Sequence, residues 1–447
     1  MNSTEMNETT RDFLKADEIE KKVVRKVSRR LLPFMFILYI VAYLDRVNVG
    51  FAALQMNADL NFSASVFGLG SGIFFLGYFL FEIPSNLILG RVGARIWIAR
   101  IMITWGIVAS ASAFIQGPRT FYLVRCLLGL SEAGFFPGMI LYLTYWFPAR
   151  HRAKTVALFM TATAVSGSIG GPLSGMLLTM HGIAGLAGWQ WLFIVEGLPA
   201  ILLGVIVLFY LTDSPEKAKW LSEEERNWLV ERLRTEVRAK EQRGIRDFFA
   251  AAGSGRVWLL SMIYFSVVIG MYGVSLWMPQ IIKGVSGRSD LFVGIVSIIP
   301  YLFAAFGMTA IGLHSDRTSE RRLHVAGSTL LASAGLLSAA YADTPVIQMA
   351  GLSLTAVGIW GSLGPFWALP TSFLSGSAAT GGIALINSVG NLGGFLGPYL
   401  IGVIKDNTGV FKYGLIALSL ITLLGASLAF VIRSRPEGNS IITRDVL

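Results

Sequence analysis

Apolar runs of about 20 residues, each long enough to cross a bilayer as a helix, recur along this chain from Leu31 to Ile432. Twelve are legible, near residues 31–55, 64–89, 96–115, 121–146, 154–180, 189–211, 256–282, 290–313, 323–341, 346–371, 380–404 and 411–432. With 54% apolar and only 14% charged side chains in 447 residues, there is too little polar surface to clothe soluble domains of that length. The runs lack the period-two alternation of a membrane barrel, and in lipid only helices and closed barrels satisfy the backbone. The expected fold class is all-α integral membrane, with twelve transmembrane helices.

The net charge of +10 does not point to nucleic acid, because the basic residues sort by side of the membrane and form no patch with interleaved aromatics. Most of the 37 Lys and Arg fall before Leu31, in alternate connections or after Val431. Only Arg119, Lys283, Arg288, Lys405 and Lys412 fall on the other side, while Arg46, Arg100 and Arg125 lie within runs. The positive-inside rule therefore places both termini in the cytoplasm. The polar first thirty residues and the absence of a small-residue cleavage site argue against a removable signal peptide. The one cysteine, Cys126, lies inside an apolar run and reads as a small hydrophobe.

Half a chain apart, related segments recur: "GRVGAR" after run two against "GLHSDRTSERR" after run eight, and "SIGGPLSG" in run five against "NLGGFLGP" in run eleven. The expected organisation is a cytoplasmic N-terminal segment 1–30, a six-helix bundle 31–211, a cytoplasmic linker 212–255, a second pseudo-symmetric six-helix bundle 256–432 and a cytoplasmic tail 433–447. Small residues at this spacing let helices approach closely, whether in static packing or where two bundles rock about a central site. In the linker, Ser222 followed by Glu225 reads as a capping box opening an amphipathic helix with Trp228, Leu229 and Leu233 on its apolar face.

Charges inside a span cost roughly 2.5–3.5 kcal/mol each, so they normally face a bundle interior or water and serve a pathway. Asp45 and Arg46 sit near the middle of run one. Adjacent helix positions diverge by about 100°, so the two cannot share a partner and must each find one on another helix. Run four offers Arg125 and Glu132, seven residues apart on one face and about 10.5 Å apart along the axis. Two acids and two bases around one cavity suit proton exchange: protonating Asp45 and Glu132 would release Arg46 and Arg125, whose guanidinium forks match a carboxylate. The alternative is a purely structural ion-pair network locking runs one and four.

Glu82 reads as a structural contact, and His181, His314 and His324 as surface residues at run ends. Tyr43, Tyr78, Trp360 and Trp367 are placed either to stack on a substrate or to pack in the core, and Asn387 to bond a substrate hydroxyl or a neighbouring helix. No phosphate-binding lysine loop, His-Glu-x-x-His, Cys-x-x-Cys or Gly-x-Ser-x-Gly is present, so neither an enzyme nor a cofactor is indicated.

"GLHSDRTSERR" resembles the loop signature of the major facilitator superfamily, and "YLDRVNVGFA", "FEIPSN" and "RCLLGLSEAGFFPG" resemble its anion:cation symporter family. The resemblance covers nearly the whole chain and implies two six-helix bundles alternating access to a central cavity. By position it implies Asp45 and Glu132 as proton sites, Arg125 in coupling, and Arg46, Tyr43, Tyr78, Trp367 and Asn387 in substrate binding. It implies gating loops at Arg91, Gly93 and Arg95 and at Gly312, Asp316 and Arg317, although Gly90 stands where the first loop usually carries an acid. "DSPEKAKWLSEEER" is similar to the tartrate, phthalate and hydroxyphenylacetate branch. The expectation is a monomeric, proton-coupled importer of a small organic carboxylate in a bacterial inner membrane, with protons, the anion and the lipid bilayer as partners. The alternatives are a proton-driven exporter of drugs or metabolites, to which "GGPLSG" in run five has a partial likeness, and a membrane receptor for carboxylates.

Overall fold

The computed structural model describes residues 3–238, 253–373 and 377–432; the tail 433–447 and the end of the linker lie outside the described residues. The described chain is helical, without strands. Before and within the linker run α1 Ser3–Asp59, α2 Ala64–Val92, α3 Ala94–Ala111, α4 Pro118–Glu132, α5 Phe135–Thr144, α6 Ala149–Met160, α7 Ala162–Leu178, α8 Gly188–Tyr210 and α9 Glu223–Arg238. After it come α10 Gly255–Ser286, α11 Asp290–Val296, α12 Ile298–Thr318, α13 Arg322–Ala340, α14 Pro345–Phe373, α15 Ser377–Thr408 and α16 Lys412–Val431. Among the described residues, ten stretches are long and apolar enough to cross a membrane. Of the two other apolar runs of the sequence, run five is divided between α6 and α7, with Thr161 between them, and run eleven lies in α15.

Run four is not one helix. α4 stops at Glu132 because Ala133 is extended (φ −53°, ψ 131°) and Gly134 takes a left-handed conformation at φ +85°, which a side chain would resist. The break sets Glu132 at the last position of α4, deep in the protein.

α2 and α15 lie on opposite sides of the linker in sequence and meet almost backbone to backbone. Gly68 and Gly72 stand one turn apart on α2; a methyl group added at either would lie 2.5 Å from the Pro398 carbonyl oxygen or 2.6 Å from that of Phe395. Only glycine permits this approach, and small residues one turn apart are the usual means of bringing spanning helices together. At the end of the seam both carboxylate oxygens of Asp406 accept from the α2 backbone, Ala64 N–H and Ser65 N–H, each at 2.8 Å. The same face is closed by Gln55, which donates to Asp290 at 2.9 Å and to the Leu178 carbonyl at 3.1 Å, and Asp290 is also bonded by Lys283.

The linker helix α9 is fastened to helices that precede it. Ser222 N–H donates to Glu225 at 2.9 Å and Glu225 N–H to the Ser222 hydroxyl at 3.2 Å, a reciprocal cap. The carboxylate of Glu225 also takes Lys26 at 2.6 Å and Lys22 at 3.4 Å from α1. Burial alone would raise the Glu225 pKa, but the Lys26 hydrogen bond, the Ser222 N–H and the two ammonium charges outweigh it and hold the carboxyl at about 2. Glu236 receives Ala149 N–H at 3.0 Å and Arg152 at 3.2 Å, so the far end of α9 caps α6. Leu229 is fully buried, and Trp228 and Leu233 pack partly buried beside it.

Two measurements probe this architecture. Gly72→Leu should overpack the α2–α15 seam, costing about 1–3 kcal/mol, and should speed thiol labelling of a cysteine placed at Ser65. Because its carboxyl is depressed, Glu225 contributes stability above its ordinary pKa near 4.5, and that contribution fades as pH falls toward about 2. Glu225→Gln should therefore make the linker more protease-sensitive at pH 7 and should abolish the acid-dependent increase in cleavage.

Candidate functional site

Asp45 and Arg46 leave α1 in different directions. Arg46 turns toward α4 and α10: its guanidinium is bonded by Glu132 and donates to the Tyr272 hydroxyl at 3.2 Å. The same guanidinium lies over the rings of Phe74 and Tyr78 on α2, at 5.5 and 5.3 Å from their centroids. Four helices, including one that follows the linker, therefore meet at one side chain. Glu132 is completely buried and has Arg46 on one oxygen, while its Oε2 has no partner among the described residues.

Arg125 is buried on α4, 2% exposed, and rests against the same Phe74 ring, 5.0 Å from its centroid. It donates to the Ser71 carbonyl at 3.4 Å, and among the described residues it makes no ion pair. Asp45, 1% exposed, likewise has no cation within ion-pair distance; its Oδ1 accepts from Asn48 at 3.2 Å and its Oδ2 is unpartnered among the described residues. The four charges thus sit around one buried region as one bonded pair and two singly placed groups. A buried carboxylate without a cation is costly when ionised, and the neutral acid is the form such a site favours.

The remaining candidates distribute around this centre. Tyr43 is buried, and its hydroxyl has no partner among the described residues. Asn387 on α15 donates to Glu82 on α2 at 3.0 Å, bridging the chain across the linker. Trp367 packs edge-on against Tyr264, 4.9 Å between centroids, and Trp360 edge-on against Tyr301 at 5.8 Å.

Three contributors escaped the sequence reading. Tyr272 is one of several tyrosines in apolar runs, and nothing local marks it as the partner of Arg46. Glu196 on α8 is buried, accepts from Ser174 at 2.8 Å and interacts electrostatically with Asp45; an acid inside "LFIVEGLPA" is the signal that should have flagged it. The third is Asp213. In the first loop, Gly93 has φ +98° and Arg95 N–H donates to Asp213 Oδ1 at 3.0 Å, with the Arg95 guanidinium 3.9 Å from Oδ2. The acid missing at Gly90 is thus replaced from beyond α8. The second motif is not a loop but the last turns of α12: there Asp316 pairs with Arg321 at 2.5 Å rather than with Arg317, which is exposed, and Gly312 has open space around it.

The buried pair sets a clear expectation for stability. Glu132→Gln strands the Arg46 cation and should cost about 3–5 kcal/mol; adding Arg46→Gln should return much of it. Thermal unfolding of both single variants and the double in detergent measures the coupling.

The sequence matches the family model described as Major Facilitator Superfamily over residues 35–398. It is 54% identical over 429 residues, 95% of each chain, to an Agrobacterium vitis protein named "Putative tartrate transporter". It is 44% identical over 420 residues, 94% of this chain and 97% of the other, to the "Quinolone resistance transporter" of Acinetobacter baumannii. In three dimensions it superposes with a TM-score of 0.75 and 18% identity on an inward-facing, unoccupied bacterial homologue of the human lysosomal transporter Spinster, covering 91% of this chain and 96% of that one. An all-helical, multi-pass architecture and a family match of this extent identify the chain as a membrane transporter of the major facilitator superfamily.

Proposed function

We propose that this transporter carries a small organic carboxylate together with protons into a bacterial cell, across the inner membrane, with both termini in the cytoplasm. The reading rests on one observation above all: the cation best placed to hold a carboxylate, Arg46, is already held by an internal carboxylate, Glu132. Glu132 and a substrate compete for the same fork. When Glu132 gains a proton it loses its charge-assisted hold, and Arg46 is left facing the Tyr272 hydroxyl with the Phe74 and Tyr78 rings beside it. An incoming carboxylate then completes the charge balance.

Asp45 supplies the second proton site in this scheme, because no cation offsets it and ionisation there is costly. Arg125, between Phe74 and the Ser71 carbonyl, keeps the region positive enough for Glu132 and Asp45 to release their protons once the substrate has left. Tyr43, Tyr78, Trp367 and Asn387 serve as aromatic walls and hydrogen-bonding groups, with Asn387 able to follow Glu82 or substrate. The motifs at Arg91, Gly93 and Arg95, with Asp213, and at Gly312, Asp316 and Arg317, with Arg321, act as latches on the cytoplasmic side as two six-helix bundles, 31–211 and 256–432, rock about the site. The tail 433–447 lies outside the described residues and takes no part here. The monomer holds all of these residues, so no second copy is required.

The name of the A. vitis relative favours a hydroxydicarboxylate such as tartrate. The name of the A. baumannii relative favours a second reading, proton-driven export of a drug. Direction separates them: proteoliposomes with an outwardly acidic gradient should accumulate labelled tartrate, whereas an exporter would raise drug tolerance in cells and show no such accumulation.

Asp45→Asn should behave as a permanently protonated site. Gradient-driven accumulation should fall to the level of passive equilibration, while exchange of internal for external substrate continues. Retention of full pH-gradient-driven uptake by this variant would remove Asp45 from the coupling scheme.

A further inference from the structure

Away from the Arg46–Glu132 pair, a concavity among the described residues opens on the face that carries the linker. It holds about 720 Å³ between the start of α1, the end of α8 and the linker residue Trp220. Its wall carries six basic side chains, Lys21, Lys22, Arg25, Lys26, Arg29 and Arg30, against one acidic one, Glu18. Lys22, Arg25, Lys26 and Arg29 follow one another at helical spacing and so form one stripe of α1, while Val23, Val27 and Leu31 form a fully buried stripe on another face. Like charges one turn apart repel one another, and a helix gains nothing structurally from such a stripe.

Glu225 accounts for part of that charge by taking Lys22 and Lys26. Arg25 and Arg29 have no acidic partner among the described residues, and both line the cavity. Arg30 lies at its floor, between Tyr210 and Trp220, with its carbon centre 5.0 and 5.1 Å from the two ring centroids. The Arg30 Nε is buried and has no hydrogen-bond partner among the described residues. A guanidinium held rigidly between two rings, with a donor withdrawn from water and unfilled, is a half-built anion site.

Its depth indicates the source of the anion. Arg30 immediately precedes the apolar run that begins at Leu31, and Tyr210 is the last residue of the span Gly188–Tyr210. The cavity therefore stands at the level of the lipid headgroups, where Tyr and Trp commonly mark the interface and basic residues meet phosphate. We propose that this cavity binds the phosphate of an anionic phospholipid, with Arg25, Arg29 and Arg30 as its ligands and Tyr210 and Trp220 as the walls that orient Arg30. Because Trp220 and Glu225 belong to the linker, a bound headgroup would tie α9 to α1 and α8.

Native mass spectrometry of the purified full chain, supplied with equal amounts of phosphatidylglycerol and phosphatidylethanolamine, tests the site. The wild type should retain phosphatidylglycerol preferentially. The double variant Arg25→Gln with Arg29→Gln should lose that preference by at least about tenfold, while the charge-matched pair Arg150→Gln with Arg232→Gln, on exposed positions outside the cavity, should keep it. Size-exclusion profiles matching wild type establish that the variants are folded, and Trp220→Phe, which preserves a ring, should retain the preference. Equal retention of phosphatidylglycerol by the cavity variant and the wild type, or no preference over phosphatidylethanolamine, would overturn the proposal. Displacement of the lipid by millimolar inorganic phosphate would also overturn it, in favour of a site for soluble phosphate.

Discussion

The ion pair between Arg46 and Glu132 is the constraint around which the central region is organised. A guanidinium removed from water requires a partner, and the partner must itself be buried to reach it. α4 meets that demand by ending at Glu132, where the extended Ala133 and the left-handed Gly134 turn the chain and leave the carboxylate at the helix terminus. Tyr272, on a helix that follows the linker, then accepts a further hydrogen bond from Arg46, so the parts of the chain before and after the linker share a polar contact here. Charge, helix break and cross-linker bond are consequences of one requirement.

Around that pair the buried acids find only part of their hydrogen bonding among the described residues. Asp45, Glu132 and Glu196 each leave one carboxylate oxygen without a partner among the described residues, although all three are buried. Carboxylates buried near one another repel when all are charged.

Much of this was legible in the sequence, and the reasons for the remainder are physical. The twelve runs announced themselves through length and hydropathy, and the superfamily match and the helical fold agree with them. The divergence of Asp45 from Arg46 follows from helix geometry alone. What helix geometry does not encode is the identity of partners on other elements: Tyr272 for Arg46 and Asp213 for Arg95 lie more than a hundred residues away, and Arg321, five residues from Asp316 and past the end of α12, takes the place of Arg317. Run four hid its break because Ala-Gly within "SEAGFFPG" is apolar enough to read as continuous helix. Glu196 is different, since its signal was present and simply lay among residues that looked like lipid-facing filler.

The glycine contact between α2 and α15 has a mechanical meaning. Interlocked side chains behave as a zipper, in which every tooth must change rotamer before the surfaces move. Where Gly68 and Gly72 face the carbonyls of Pro398 and Phe395 there are no teeth, and the two helices meet as a smooth bearing. Motion along such a surface meets little internal friction, so the pace of any rearrangement there is governed by the polar fastenings at its rim, the grip of Asp406 on the first turn of α2 among them.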